Sequence, residues 1–147
     1  MKIKNYTSNI PVERSIMAIE KLLMDFNCTH IAKIINKGRV EGFIFQIIDD
    51  QRGPISFKLP VKQIAVQRIF EGKIKRPHKG TQNRVIDQAE RTAWKILHDW
   101  VEIQLTMVAL EQAESIQIFL PYAYDFRDQK TFFEKARDNG FKMLTGG

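Results

Sequence analysis

His98 and Glu102 stand four residues apart with Asp99 between them. On a helix that spacing puts an imidazole and a carboxylate on one face, where both could ligate an ion. A helical zinc motif also needs a second histidine four residues from the first, and this chain has none there. His98 belongs as well to the row Asp87, Arg91, Lys95, His98 and Glu102. Opposite charges at that spacing make ordinary helical surface pairs, so the row is expected to face water. Cys28 and His30 hold the two groups of a thiol nucleophile and its base. They lie two apart on an expected strand with no orienting third residue, and a small buried thiol is the simpler reading. No serine sits in a nucleophile elbow, and the glycines at 38, 42, 53, 72 and 80 form no phosphate-cradling loop. The expectation is a protein without catalytic residues, metal site or cofactor.

The strongest chemical signal is electrostatic. Residues 72–84 read GKIKRPHKGTQNR and hold Lys73, Lys75, Arg76, Lys79 and Arg84 without one carboxylate, against a net charge of +6 for the whole chain. A segment this basic and this rich in turn formers resists burial, stands in water and attracts anions. Lysine and arginine release counterions on meeting phosphates, while Gly72, Pro77 and Gly80 leave the chain open enough to follow a nucleic-acid backbone. The amino terminus of the helix that follows offers free N–H groups to the same phosphate, with Asp87 competing. Nucleic acid, DNA in the first place, or an acidic host protein is the expected partner; a solvated linker is the plainer alternative. Tyr122, Tyr124 and Phe126 form a second candidate set. Alternate aromatics after Pro121 suit base stacking with a single strand, or a lid on the core or a partner contact.

The elements that carry these residues follow from apolar spacing. After Pro11, Val12, Ile16, Ile19, Leu23 and Phe26 make one helical stripe. Residues 28–35 are rich in β-branched side chains and end at Asn36, Lys37, Gly38 and Arg39, a hairpin signal. Phe43, Phe45 and Ile47, then Ile55, Phe57 and Leu59, alternate as the inward face of two further strands. A short helix over 61–70 ends at Gly72, and residues 85–114 hold no Gly or Pro and read as one long helix. Ala89, Ala93, Ile96, Trp100, Ile103, Met107 and Leu110 form one row on it; Trp94, Leu97, Val101, Leu105 and Val108 form a second, widening the apolar arc. Residues 116–120 read as a short buried strand, 131–138 as a last helix with Phe132, Phe133 and Ala136 turned inward, and 141–147 as a tail.

Composition sets the class. Hydrophobic residues at 44% and charged residues at 27% are ordinary for a globular domain. The single cysteine, Cys28, can form no intrachain disulfide. The amino-terminal lysines precede no apolar stretch, and no run is long and uncharged enough to span a bilayer. A cytoplasmic protein that makes no membrane contact is expected. Its fold should be α+β: an amino-terminal helix, a three-stranded antiparallel meander, a short helix, one long helix packed on the sheet, and a carboxy-terminal strand with a short helix. Residues 1–147 would form one domain, with an exposed basic loop at 72–84 and a flexible tail at 142–147. The wide arc of the long helix implies a homodimer or a covering carboxy-terminal segment.

ERTAWKILHDWVEIQL at 90–105, IFLPYA at 118–123, NYTSNIPVERSI at 5–16 and FKLP at 57–60 together resemble a family of small uncharacterised proteins from bacteriophages, prophages and other mobile elements. The resemblance spans most of the chain and brings no functional residues with it. It implies an accessory role such as DNA replication, recombination or counter-defence. The expected function is therefore a non-enzymatic nucleic-acid-binding protein of a mobile element, or alternatively a counter-defence protein, of anti-restriction or anti-CRISPR type, that blocks a host protein by contact. The order helix, three strands, helix is also similar to double-stranded-RNA-binding domains, which place lysines before their last helix. Here a further helix intervenes and that family's histidine loop is missing, so no residue is carried over.

Overall fold

The computed structural model describes residues 2–74 and 80–146. The protein is α+β, with α1 at Val12–Asp25, β1 at His30–Asn36, β2 at Arg39–Asp49, β3 at Gly53–Pro60, α2 at Gln63–Gly72 and α3 at Thr81–Ala109. Then come α4 at Ser115–Phe119, a 3-10 turn at Leu120–Tyr122, β4 at Tyr124–Asp125, β5 at Lys130–Thr131, α5 at Phe132–Asp138 and α6 at Lys142–Thr145. Among the described residues no helix is long and apolar enough to cross a membrane. The chain divides into two compact units, Met1–Leu22 with Val61–Gln104, and Leu23–Pro60 with Leu105–Gly147.

The first unit is helical. Pro11 fixes the approach to α1, and its carbonyl accepts the opening bonds from the N–H groups of Arg14 and Ser15. On α1, Ile16 and Ile19 are buried, as the stripe requires, and the polar Ser15 is buried as well. Ala89 and Ala93 of α3, four apart and small, pack with Val66 of α2, and Val61 and Phe70 close the edges of that cluster. α3 begins at Thr81, four residues before its first apolar signal, because Thr81, Gln82 and Asn83 extend it without contributing to the stripe. Its two apolar rows divide differently from the pattern. Trp94, Val101 and Leu105 are buried, whereas Ile103 of the first row is 55% exposed.

The second unit is built on the meander β1-β2-β3, antiparallel throughout. Lys37 and Gly38 both have positive φ and join Asn36 to Arg39 in a two-residue turn whose twist suits the strands. Asp49 pairs with Gly53 across a three-residue loop, and its carboxylate accepts from the N–H groups of Gln51 and Arg52. Position 42 has no room for a side chain, since a Cβ there would collide with the carbonyl oxygen of Leu59 on β3. Phe43, Phe45, Ile47, Phe57 and Leu59 are buried as the alternation requires, while Ile55 is half-buried. Phe45 faces Phe57 across the pair β2-β3, and Phe119 of α4 packs against both rings at 5.4 and 5.7 Å.

Four local assignments differ from the sequence pattern. Residues 116–120 are not a strand: Ser115–Phe119 is helical, started by a capping box between Glu114 and Gln117. Such a short apolar run has no periodicity to separate strand from helix. The long helix stops at Ala109 rather than 114, because Glu111 takes a left-handed conformation and Gln112 N–H reaches back to the Met107 carbonyl. Phe132 and Phe133 are 36% and 48% exposed rather than turned inward. The expected tail contains α6, entered through a left-handed Phe141.

Candidate nucleic-acid interface

The described residues of the basic segment lie at two helix ends. Gly72 is the last residue of α2 and Lys73 its C-cap, with its N–H on the carbonyls of Phe70 and Glu71. Arg84 is on the first turn of α3, its N–H on the Gly80 carbonyl. Lys75, Arg76 and Lys79 lie outside the described residues. α3 carries no acidic residue in its first turn, so nothing there opposes the positive end of the helix dipole.

Arg84, Gln88 and Arg91 are spaced four and three apart, on one face of α3. With Lys73 and Phe70 they line an open cleft of about 700 Å³. Arg84 and Arg91 are joined there by Asp87 from α3 and by Tyr6 from the amino-terminal segment. Three cations against one carboxylate give the cleft a positive balance before any undescribed residue is counted. Arg91 donates from Nη2 to Gln88 Oε1 at 2.6 Å, while its Nε is buried without a hydrogen-bond partner. One donor of the guanidinium fork is thus unsatisfied, a costly arrangement that turning toward an anion would relieve.

Tyr6 reaches the cleft because the segment before α1 is strapped to α3. Gln88 Nε2 donates to the carbonyls of Tyr6 and Ser8 at 2.9 and 3.1 Å. Thr92 Oγ1 donates to the Asn5 carbonyl at 3.1 Å, and Asn5 takes a left-handed φ of 62°. Asp99 then accepts from Asn5 Nδ2 at 2.9 Å and from Lys4 Nζ at 2.6 Å, with Lys95 Nζ at 3.1 Å and His98 Nδ1 at 2.9 Å. Partial burial pushes the Asp99 carboxyl upward, but the bonds from Lys4, Asn5, His98 and Lys95 outweigh it and hold the group well below the usual carboxylate range.

This strap corrects the reading of the row through His98. The His98 side chain is only 12% exposed, and Arg91 and Lys95 are half-buried, whereas Asp87 and Glu102 of the same row are exposed; Asp99 beside His98 is 16% exposed and bonded by Lys4 and Asn5. Glu102 is more exposed and stands 3.8 Å from His98 Nε2, a loose helical pair. Among the described residues no three His, Cys, Asp or Glu side chains gather where a metal ion could sit. Cys28 is half-buried, and its thiol donates to the main-chain carbonyl of His30 at 3.0 Å instead of meeting the imidazole.

The aromatic set is split. Tyr124 and Phe126 meet edge to face at 5.0 Å and line a second cleft, about 590 Å³, in the sheet-bearing unit; Tyr122 lies outside it on the 3-10 turn. Lys58 Nζ stands 5.2 Å over the Tyr124 ring. The cations of this cleft have acidic partners. Lys135 pairs with Asp125 and Asp128 at 2.7 and 2.8 Å, Lys130 with Asp138 at 2.5 Å, and Arg127 with Asp125 at 3.2 Å. Bonds from Arg127 and Lys135 hold the Asp125 carboxyl below the usual range. The charge of this cleft is matched from within.

Arg91, Gln88 and Tyr6 are the site residues that sequence reasoning missed. The i, i+4, i+7 spacing of Arg84, Gln88 and Arg91 was a usable signal, but nothing local connects Tyr6 with Gln88, 82 residues away. Comparison of the chain with protein-family models, with curated proteins and with solved structures gives no match.

Proposed function

We propose that this protein is a non-enzymatic nucleic-acid-binding accessory protein of a bacteriophage or mobile element, serving DNA replication or recombination. It grips phosphates with Lys73, Lys75, Arg76, Lys79 and Arg84, joined by Arg91. The observation that carries this reading is the meeting of Lys73, Arg84 and Arg91 on one open cleft at the two ends of the basic segment. Cations gathered on a concave surface raise the local concentration of polyanions and release counterions on contact. The mobile-element setting rests on the resemblance in the long helix and the segment after it.

The test is a gel-shift series with single-stranded and duplex DNA and RNA at two salt concentrations. Binding should weaken steeply between the two, and the triple change Lys73→Ala, Arg84→Ala, Arg91→Ala should abolish the shift at the higher one. Binding indifferent to those changes refutes the reading. A protein that shifts no nucleic acid, but pulls one host enzyme from a lysate, would be acting instead as a counter-defence inhibitor.

A further inference from the structure

The cleft that gathers the cations also presents an aromatic ring, Tyr6. Tyr6 is 40% exposed, and Gln88 fixes its main chain through the Tyr6 carbonyl, so the ring is held at the cleft without its side chain being used for the anchoring. Phe70 lines the same cleft beside Lys73. Lys2 Nζ lies 5.4 Å from the Tyr6 ring centroid, adding a cation at the aromatic surface. A duplex offers such a cleft only its phosphates, since its bases are stacked inside the helix and their faces are covered. An unpaired strand offers a phosphate and a free base face within the same nucleotide. A volume of about 700 Å³ is in the range of cavities that enclose a small molecule.

We infer that the cleft between α2 and α3 is a single-strand site, in which a phosphate meets Lys73, Arg84 and Arg91 while an unpaired base stacks on Tyr6. This deepens the nucleic-acid-binding reading and rests on it. Asp87 is the one carboxylate in the described lining. It stands on α3 between Arg84 and Arg91 and offsets part of their attraction, leaving the described lining three cations to one carboxylate.

The test compares a single-stranded oligonucleotide with a duplex of the same length at one salt concentration, using wild type, Tyr6→Phe and Tyr6→Leu. Leucine keeps bulk and the main-chain bonds but removes the π face. Wild type and Tyr6→Phe should bind the single strand more tightly than the duplex. Tyr6→Leu should lose about 5- to 100-fold in single-strand affinity while keeping its duplex affinity and its salt slope. A 2-aminopurine placed in the single strand should be quenched on binding wild type and not on binding Tyr6→Leu. Equal binding of both strands by Tyr6→Leu and wild type overturns the single-strand assignment and leaves general phosphate binding standing. A wild type that binds no nucleic acid overturns both. If Tyr6→Leu does not fold, duplex preference or unquenched 2-aminopurine with wild type overturns the assignment, and single-strand preference with quenching supports it.

Discussion

Asp99 illustrates how much of the candidate site hangs on side chains that look unremarkable in sequence. It is the terminus of the strap that delivers Tyr6, with Lys4, Asn5, Lys95 and His98 converging on its carboxylate. Because its folded-state pKa lies below that of the unfolded chain, the unfolded state takes up the proton first on acidification. Its contribution is complete above the unfolded value of about 4 and is lost as pH falls through the lower folded value. The stability difference between wild type and Asp99→Asn, measured by urea unfolding, should be at its full value above about pH 4 and shrink steadily below it. A difference that stays constant into strong acid would show that the carboxylate's charge contributes nothing. At this scale Lys73 and Arg84 were legible from the clustering of cations. Tyr6, and the covering of His98 and Asp99, were not, because the bonds that create them join residues more than eighty positions apart.

Helix ends show what short patterns can and cannot carry. Three helices close alike, with a left-handed residue followed by an N–H that reaches back five positions: Asn27 after α1, Glu111 after α3 and Gly140 after α5. Gly140 is readable as a stop, since glycine adopts that conformation without steric cost, whereas Glu111 carries no such mark and the apolar pattern runs past it. The left-handed conformation costs an ordinary residue about 1 kcal/mol. Glu111→Gly should therefore raise stability by about 0.5–1 kcal/mol, seen as a higher denaturant midpoint at an unchanged slope. A lower midpoint would mean that the Glu111 side chain supports the fold in its own right. The meander, by contrast, was legible throughout: alternation of two fixes which face of β2 and β3 is buried, and Lys37-Gly38 fixes the hairpin. Ser115–Phe119 was not, since its helical start depends on the Glu114–Gln117 capping box.

For the whole molecule, charge is the property that distinguishes one surface from another. Five cations of residues 72–84 stand against a chain total of only +6, so elsewhere acids nearly balance bases. The cleft around Tyr124 and Phe126 follows that rule, its lysines paired with Asp125, Asp128 and Asp138. The cleft bounded by Lys73, Arg84 and Arg91 has three cations and one carboxylate in its described lining, and this was only half visible in sequence: composition locates the excess, while Arg91 joins it through its helical spacing from Arg84. The central claim is that this excess grips phosphates. It is tested most directly by the dependence of oligonucleotide affinity on salt, measured by fluorescence anisotropy for wild type and for the triple variant Lys73→Ala, Arg84→Ala, Arg91→Ala. The slope of log affinity against log salt should be shallower in the variant by about 1 for each phosphate contact removed, roughly 2 to 3 in all. Identical slopes would contradict the claim.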